Sequence, residues 1–223
     1  MWMLVPVLAW SSEPFEHTFP ESEKTLDLRA DKATVSITTG GSAITIRGSH
    51  EGDPSMCHLR NDHQQGATAI YEAYGSSSLP RECIARMEIS VPVGSGVHVA
   101  LEKGTLDVQL DGTLQGQLNT GDIKGQVTGA VHLDVGQGNV ILGGLTEPTE
   151  VKVGAGNAAL VFEKAPQGDV LLTMGRGGVF IDLPDETIVD ARVPSGVKVP
   201  LVQKTTAPTK LMVRNAMGEV VIE

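Results

Sequence analysis

Glycine recurs in this chain in fixed company, and that recurrence limits the fold more than any other feature. The pattern Gly-x-Φ-x-Φ, with Φ apolar or small, opens at Gly104, Gly121, Gly138, Gly156, Gly177 and Gly218. The intervals are 17, 17, 18 and 21 residues, then 41, about two further periods. A period of that length marks a stack of units, none of which can bury its apolar side alone.

The residues around each glycine predict two strands per unit. Before it, apolar residues alternate with polar ones: Val131, Leu133 and Val135 precede Gly138, and Val170, Leu172 and Met174 precede Gly177. After it the alternation resumes, with Val140 and Leu142, Ala158 and Leu160, and Val179 and Ile181. Period-2 alternation on both sides of a tight turn is the pattern of half-buried strands. The prediction is an all-β fold, a single-chain β-solenoid with 17–21 residues and two main strands per rung. Only 4% of residues are aromatic against 26 glycines, so the core must be aliphatic, which suits many short strands.

Three stretches divide the 223 residues. Residues 1–11, MWMLVPVLAWS, resemble the apolar region of a secretory signal, with Ala9 and Ser11 as small residues at a cleavage site. They are too short to span a bilayer, and no membrane span is expected in the mature chain. Residues 12–86 read as strands and a hairpin capping the stack. They hold two short strands within Thr34–Arg47 about Gly40-Gly41, and a hairpin over 55–74 turning near Gln64-Gln65-Gly66. Residues 87–223 read as the rungs, about seven in a stack of about 35 Å at the spacing of paired strands. Within them, Val193-Pro194-Ser195-Gly196-Val197-Lys198-Val199 echoes the strand at Val91–Val99 and is read as a rung with a shifted turn.

Several functions are disfavoured. A net charge of −10 is the wrong sign for binding phosphate backbones or anionic lipid headgroups, so no nucleic-acid partner is expected. The turns Gly136-Gln137-Gly138, Gly154-Ala155-Gly156 and Gly175-Arg176-Gly177 look superficially like phosphate loops, but strands rather than helices follow them. They also lack the aspartate of calcium-binding Gly-rich rolls, so no cofactor or metal is expected. Cys57 and Cys83 form an even pair whose disulfide would close a loop of about 25 residues; free thiols and a metal site with His50, His58 and His63 are the alternatives. Their spacing matches no paired zinc-ligand pattern.

Two sets of outward positions carry functional candidates. Ile141, Ala159 and Phe180 share one offset in three consecutive units and would stack into an apolar contact strip, open to a partner or to self-association, or else covered by another segment of the chain. His132 and Asp134, two apart on one strand, form the best polar pair, with Lys152 expected beside them. A solenoid groove can hold catalytic carboxylates, but a solvated strand face with cross-rung charge pairs is the favoured reading of this pair, and no enzyme activity is expected.

The run MEISVPVGSGVHVALEKGTLDVQLDGTLQGQLNTGDIKGQVTG, with Val91-Pro92, Thr120-Gly121-Asp122-Ile123 and Gly138-Asn139-Val140, resembles the bacterial putative-adhesin β-solenoid family. The resemblance covers most of residues 25–223. It implies an extracytoplasmic, envelope-associated module with a protein or surface-glycan partner and no established catalytic residues. The Cys57–Cys83 insert departs from that pattern. A cytoplasmic polymer-forming scaffold similar to bactofilins is the alternative, and a carbohydrate-active β-helix enzyme stands third.

Overall fold

The computed structural model describes residues 13–51, 57–64, 68–75, 84–185 and 187–223; for 13, 51, 57–64 and 68–75 it describes the backbone path. The expectations on Met1–Ser11 and on a Cys57–Cys83 disulfide therefore lie outside the described residues. Among the described residues there is no helix, and hence none long and apolar enough to cross a membrane. The strands are β1 (Glu13–Thr18), β2 (Thr25–Thr39), β3 (Thr45–Glu51), β4 (Cys57–Gln64), β5 (Thr68–Gly75), β6 (Ile84–Val91), β7 (Ser95–Leu110) and β8 (Gly112–Val127). They continue with β9 (Val131–Leu145), β10 (Thr149–Phe162), β11 (Val170–Arg176), β12 (Val179–Asp182), β13 (Ile188–Arg192), β14 (Val202–Gln203), β15 (Thr209–Met217) and β16 (Val220–Ile222). All join one large, mostly parallel sheet that does not close on itself, in the order β1-β3-β6-β2-β7-β8-β9-β10-β11-β15-β13-β14. From β10 the sheet also continues through β12 to β16, and β4 and β5 extend it from β2.

Each long strand has two arms. In β9 the buried residues before the glycine are Val131, Leu133 and Val135, and those after it are Val140 and Leu142. The buried set passes from odd to even numbers across Gln137-Gly138, so the chain turns a corner while keeping its apolar side inward. Leu106, Leu114, Leu133, Leu142, Leu160 and Ile181, all fully buried, come from β7, β8, β9, β10 and β12 and belong to one aliphatic core. Each such side chain contributes about 1.5–3 kcal/mol by leaving water.

The corner explains the glycine. Gly138 has φ 145°, and a Cβ placed on it would lie 1.7 Å from the carbonyl oxygen of Gly121 in the preceding unit. The same holds along the column from Gly104 to Gly218, and at Gly177 the distance falls to 1.5 Å. Each carbonyl occupies the space where the next strand would carry a side chain, so glycine recurs where parallel strands pair in register. The column starts not at a glycine but at Ala33, whose carbonyl sits 1.9 Å from the Cβ position of Gly104. Accordingly, β2 pairs with β7 along both arms, Leu26 with Val97 and Val35 with Leu106.

The two ends are finished differently. At the N-terminal end pairing turns antiparallel: β3 against β6, β1 against β3, and β4 against β5. β4 and β5 form the expected hairpin, with Gln64 opposite Thr68; residues 65 and 66 of its turn lie outside the described set. The two strands about Gly40-Gly41 are not neighbours. β6 lies between them, Ile89 pairing with Ile37 on one side and Ile46 on the other. On this end His50 stacks on Phe15 with ring centroids 4.5 Å apart.

At the other end, the expected rung over Val193–Val199 does not form. Pro194 and Pro200 lack N–H donors, and Gly196 takes φ 90°, so the segment runs without ladder hydrogen bonds between β13 and the two-residue β14. Its Val193, Val197 and Val199 instead pack, partly buried, against the core.

Candidate functional site

The arms after the glycine column place Ile141, Ala159 and Phe180 directly opposite one another in adjacent strands, Ile141 against Ala159 and Ala159 against Phe180. The line continues to Val221, which pairs with Phe180. Ile141 is 56% exposed, and the other three are half-buried. At the interstrand spacing this is an apolar ladder about 14 Å long. Toward the N-terminal end the same column turns charged: Lys124 lies opposite Ile141, and its Nζ pairs with Asp107 Oδ2 at 3.1 Å.

A second ladder runs beside the strip and stiffens it. The N–H and Nδ2 of Asn139 both donate to Asp122 Oδ1, at 2.8 and 2.9 Å. Asn157 repeats the pair of bonds onto Asn139 Oδ1, at 3.1 and 3.0 Å, and the Gly178 N–H donates to Asn157 Oδ1 at 3.0 Å. The chemistry of the ends fits. Asp122, first in line, only accepts, and Gly178, last in line, offers only its backbone N–H. These residues follow the column glycine by one position in successive strands, a periodicity visible in the sequence.

The arms before the column carry the polar pair. His132 and Asp134 lie side by side on β9, and opposite them on β10 lie Glu150 and Lys152. Glu150 is the residue that sequence reasoning missed. Its carboxylate receives His132 Nδ1 at 3.1 Å and Lys152 Nζ at 2.7 Å. The hydrogen bond from Lys152 is the main reason its pKa lies below the ordinary carboxylate value, with His132 adding to the shift. Lys152 is raised in turn by Glu150, with a smaller contribution from Asp134. All four side chains are substantially in contact with solvent. Next to them an open groove of about 520 Å³ runs toward β2, walled by Asp27, Arg29, His98, Gln115 and Gln117 over a floor of Ala100 and Gly116. Gly116 stands at an inward position, and Leu133 from the next unit fills the place of its side chain, Cδ2 lying 2.6 Å from where a Cβ would be.

No family model matches this chain, and no curated protein matches it. Similarity is found to solved structures over nearly their whole length. A putative adhesin from Bacteroides fragilis is 11% identical, with a TM-score of 0.46 over 96% of this chain and 99% of that one. A putative cell adhesion protein from Clostridium sporogenes is 10% identical, with a TM-score of 0.40 over 95% and 99%. A putative lipid binding protein from Parabacteroides distasonis is 11% identical, with a TM-score of 0.32 over 92% and 96%. At these scores the likenesses assign neither a site nor a ligand. The chain's own geometry defines an all-β protein built on one large, mostly parallel sheet, with an apolar ladder and a polar groove on its outward surfaces.

Proposed function

We propose that the chain is a non-catalytic binding module in which two-armed units stack as a β-solenoid, and that the strip from Ile141 to Val221 is its contact surface for a protein partner. The register that brings four apolar side chains into one partly exposed line carries this reading. A monomer gains nothing from such a line, whereas a partner burying it removes apolar surface from water. A protein fits the strip better than a glycan does, because sugar rings stack on aromatic faces and only Phe180 supplies one. The flanking asparagine ladder holds the strip in a fixed shape, which limits the entropy lost on association.

The polar pair supports the non-catalytic reading. The Glu150 carboxylate is engaged by two cationic or donor groups and held below its ordinary pKa, so it is a poor proton acceptor near neutrality. An envelope location rests on the apolar Met1–Ser11 segment and the even cysteine pair. The polymer-forming alternative is less favoured, since the antiparallel strands β1, β3 and β4 interrupt the parallel pairing that end-to-end stacking would continue.

The test is photo-crosslinking in cells producing the full chain, with a benzophenone side chain at position 180 and, as control, at Thr105. The expected result is a discrete adduct from position 180 that is absent from position 105 and is lost on Ile141→Asp. Identical adducts from both positions, or none from position 180, would overturn the reading. An adduct of twice the chain mass would identify the partner as a second copy.

A further inference from the structure

The arms before the glycine column hold a second surface feature, far from neutral in character. Where β11 and β15 meet the segment after β13, a broad, open groove of about 720 Å³ runs along the surface. One part of its wall is apolar: Met212 on β15, with Val193 and Pro194 from the strandless segment. The other part is cationic, with Arg214 on β15 and Arg192 at the end of β13. Arg192 lies opposite Met212 in the pairing of β13 with β15, so cation and thioether are neighbours.

One guanidinium group is unpaired and the other is held only by a long contact. Arg214 makes no ion pair or side-chain hydrogen bond among the described residues, and the one carboxylate near Arg192 is Asp190, at 3.9 Å. By contrast Lys124 and Lys152 are paired at 3.1 and 2.7 Å. In a chain of net charge −10, two arginines beside an apolar wall form a local cationic patch, with Asp190 at its edge.

We propose that this groove binds a single-chain amphiphile carrying a carboxylate head. Arg192 and Arg214 receive the head through charge-assisted hydrogen bonds, and Met212, Val193 and Pro194 take the aliphatic chain. A free amphiphile is the occupant, not a bilayer: the chain's negative charge is repelled by anionic membrane surfaces, and an apolar wall of three side chains matches a single acyl chain. The site is independent of the proposed contact strip, which lies on the arms after the column.

The test is calorimetric titration of the full chain with sodium laurate below its micellar concentration at neutral pH, with dodecanol as the uncharged counterpart. Laurate is expected to bind at least about tenfold more tightly than dodecanol, and Arg214→Gln to remove most of that preference. Met212→Asp is expected to weaken both ligands, while Ile141→Asp leaves both unchanged. Equal binding of laurate and dodecanol, or no binding of laurate, would overturn the proposal. So would full laurate affinity in the Arg192→Gln/Arg214→Gln double variant. Phosphatidylglycerol vesicles that bind the chain, and lose it in that double variant, would replace the free amphiphile with a membrane surface. The laurate–dodecanol comparison uses the unaltered chain, so it decides the matter even if a variant fails to fold.

Discussion

A single methyl group is too much for the inner corner of these units. At Gly138 the carbonyl of Gly121 already fills the place of a side chain, so Gly138→Ala must push two stacked backbones apart. The expected cost is about 3 kcal/mol or more, read as a lower denaturant midpoint. Gly94 supplies the contrast. It has φ 76° with nothing within 4 Å of where a Cβ would lie, so Gly94→Ala should cost only about 1 kcal/mol of backbone strain. Equal losses for the two substitutions would contradict the packing explanation. His50 is the other residue with a sharp expectation. It is buried, neither ring nitrogen has a hydrogen-bond partner among the described residues, and burial lowers its pKa from the usual 6.5. The folded chain thus keeps the ring neutral while the unfolded chain protonates it as pH falls through about 6.5, so this contribution is complete above that pH and is lost below it. Thermal melts should show a lower Tm at pH 5.5 than at pH 7.5, and His50→Leu should reduce that difference while raising the Tm at pH 5.5.

At the scale of the elements, the ladder Asp122–Asn139–Asn157–Gly178 ties successive corners together. Asn139→Ala removes the acceptor for two donors of Asn157 and one of its own two bonds to Asp122, the side-chain one. Because the site is exposed and water can replace the lost partners, a cost of about 1–2 kcal/mol is expected. Amide exchange should quicken at Asn157 and Gly178, whereas unchanged protection there would show that the ladder is incidental. The two-armed alternation of β7 to β10 is legible in the sequence because most inward positions of those arms are aliphatic or glycine, with Ser95, Thr149 and Phe162 at the strand ends as exceptions. Three features are not. Ala33 hides the first layer, since the column needs a glycine only where a preceding carbonyl crowds the corner. The valines of Val193–Val199 imitate a strand, but the flanking prolines deny it hydrogen bonds. Val221 extends the strip, yet the 41-residue interval before Gly218 separates it in sequence from Phe180, which it faces across β12 and β16. Glu150 escapes notice for a related reason: its partner His132 lies on the neighbouring strand, and no spacing rule within one strand links them.

For the whole molecule, both proposed surfaces depend on one property, the stacking of units in register from β2 to β16. The column Ser36, Asp107, Lys124, Ile141, Ala159 and Phe180 runs across it, each residue opposite the next. At the N-terminal end the antiparallel strands β1 and β3 break the parallel pairing, and at the other end the sheet finishes at β14 and β16. The most direct test is a pulsed electron–electron distance between spin labels at Ser36→Cys and Phe180→Cys in a chain whose native cysteines are replaced by serine. Five interstrand steps predict a narrow distribution centred at about 24 Å, widened by several ångströms of label linker. A broad distribution, or one centred beyond about 35 Å, would contradict the stacked arrangement and with it both surfaces built upon it.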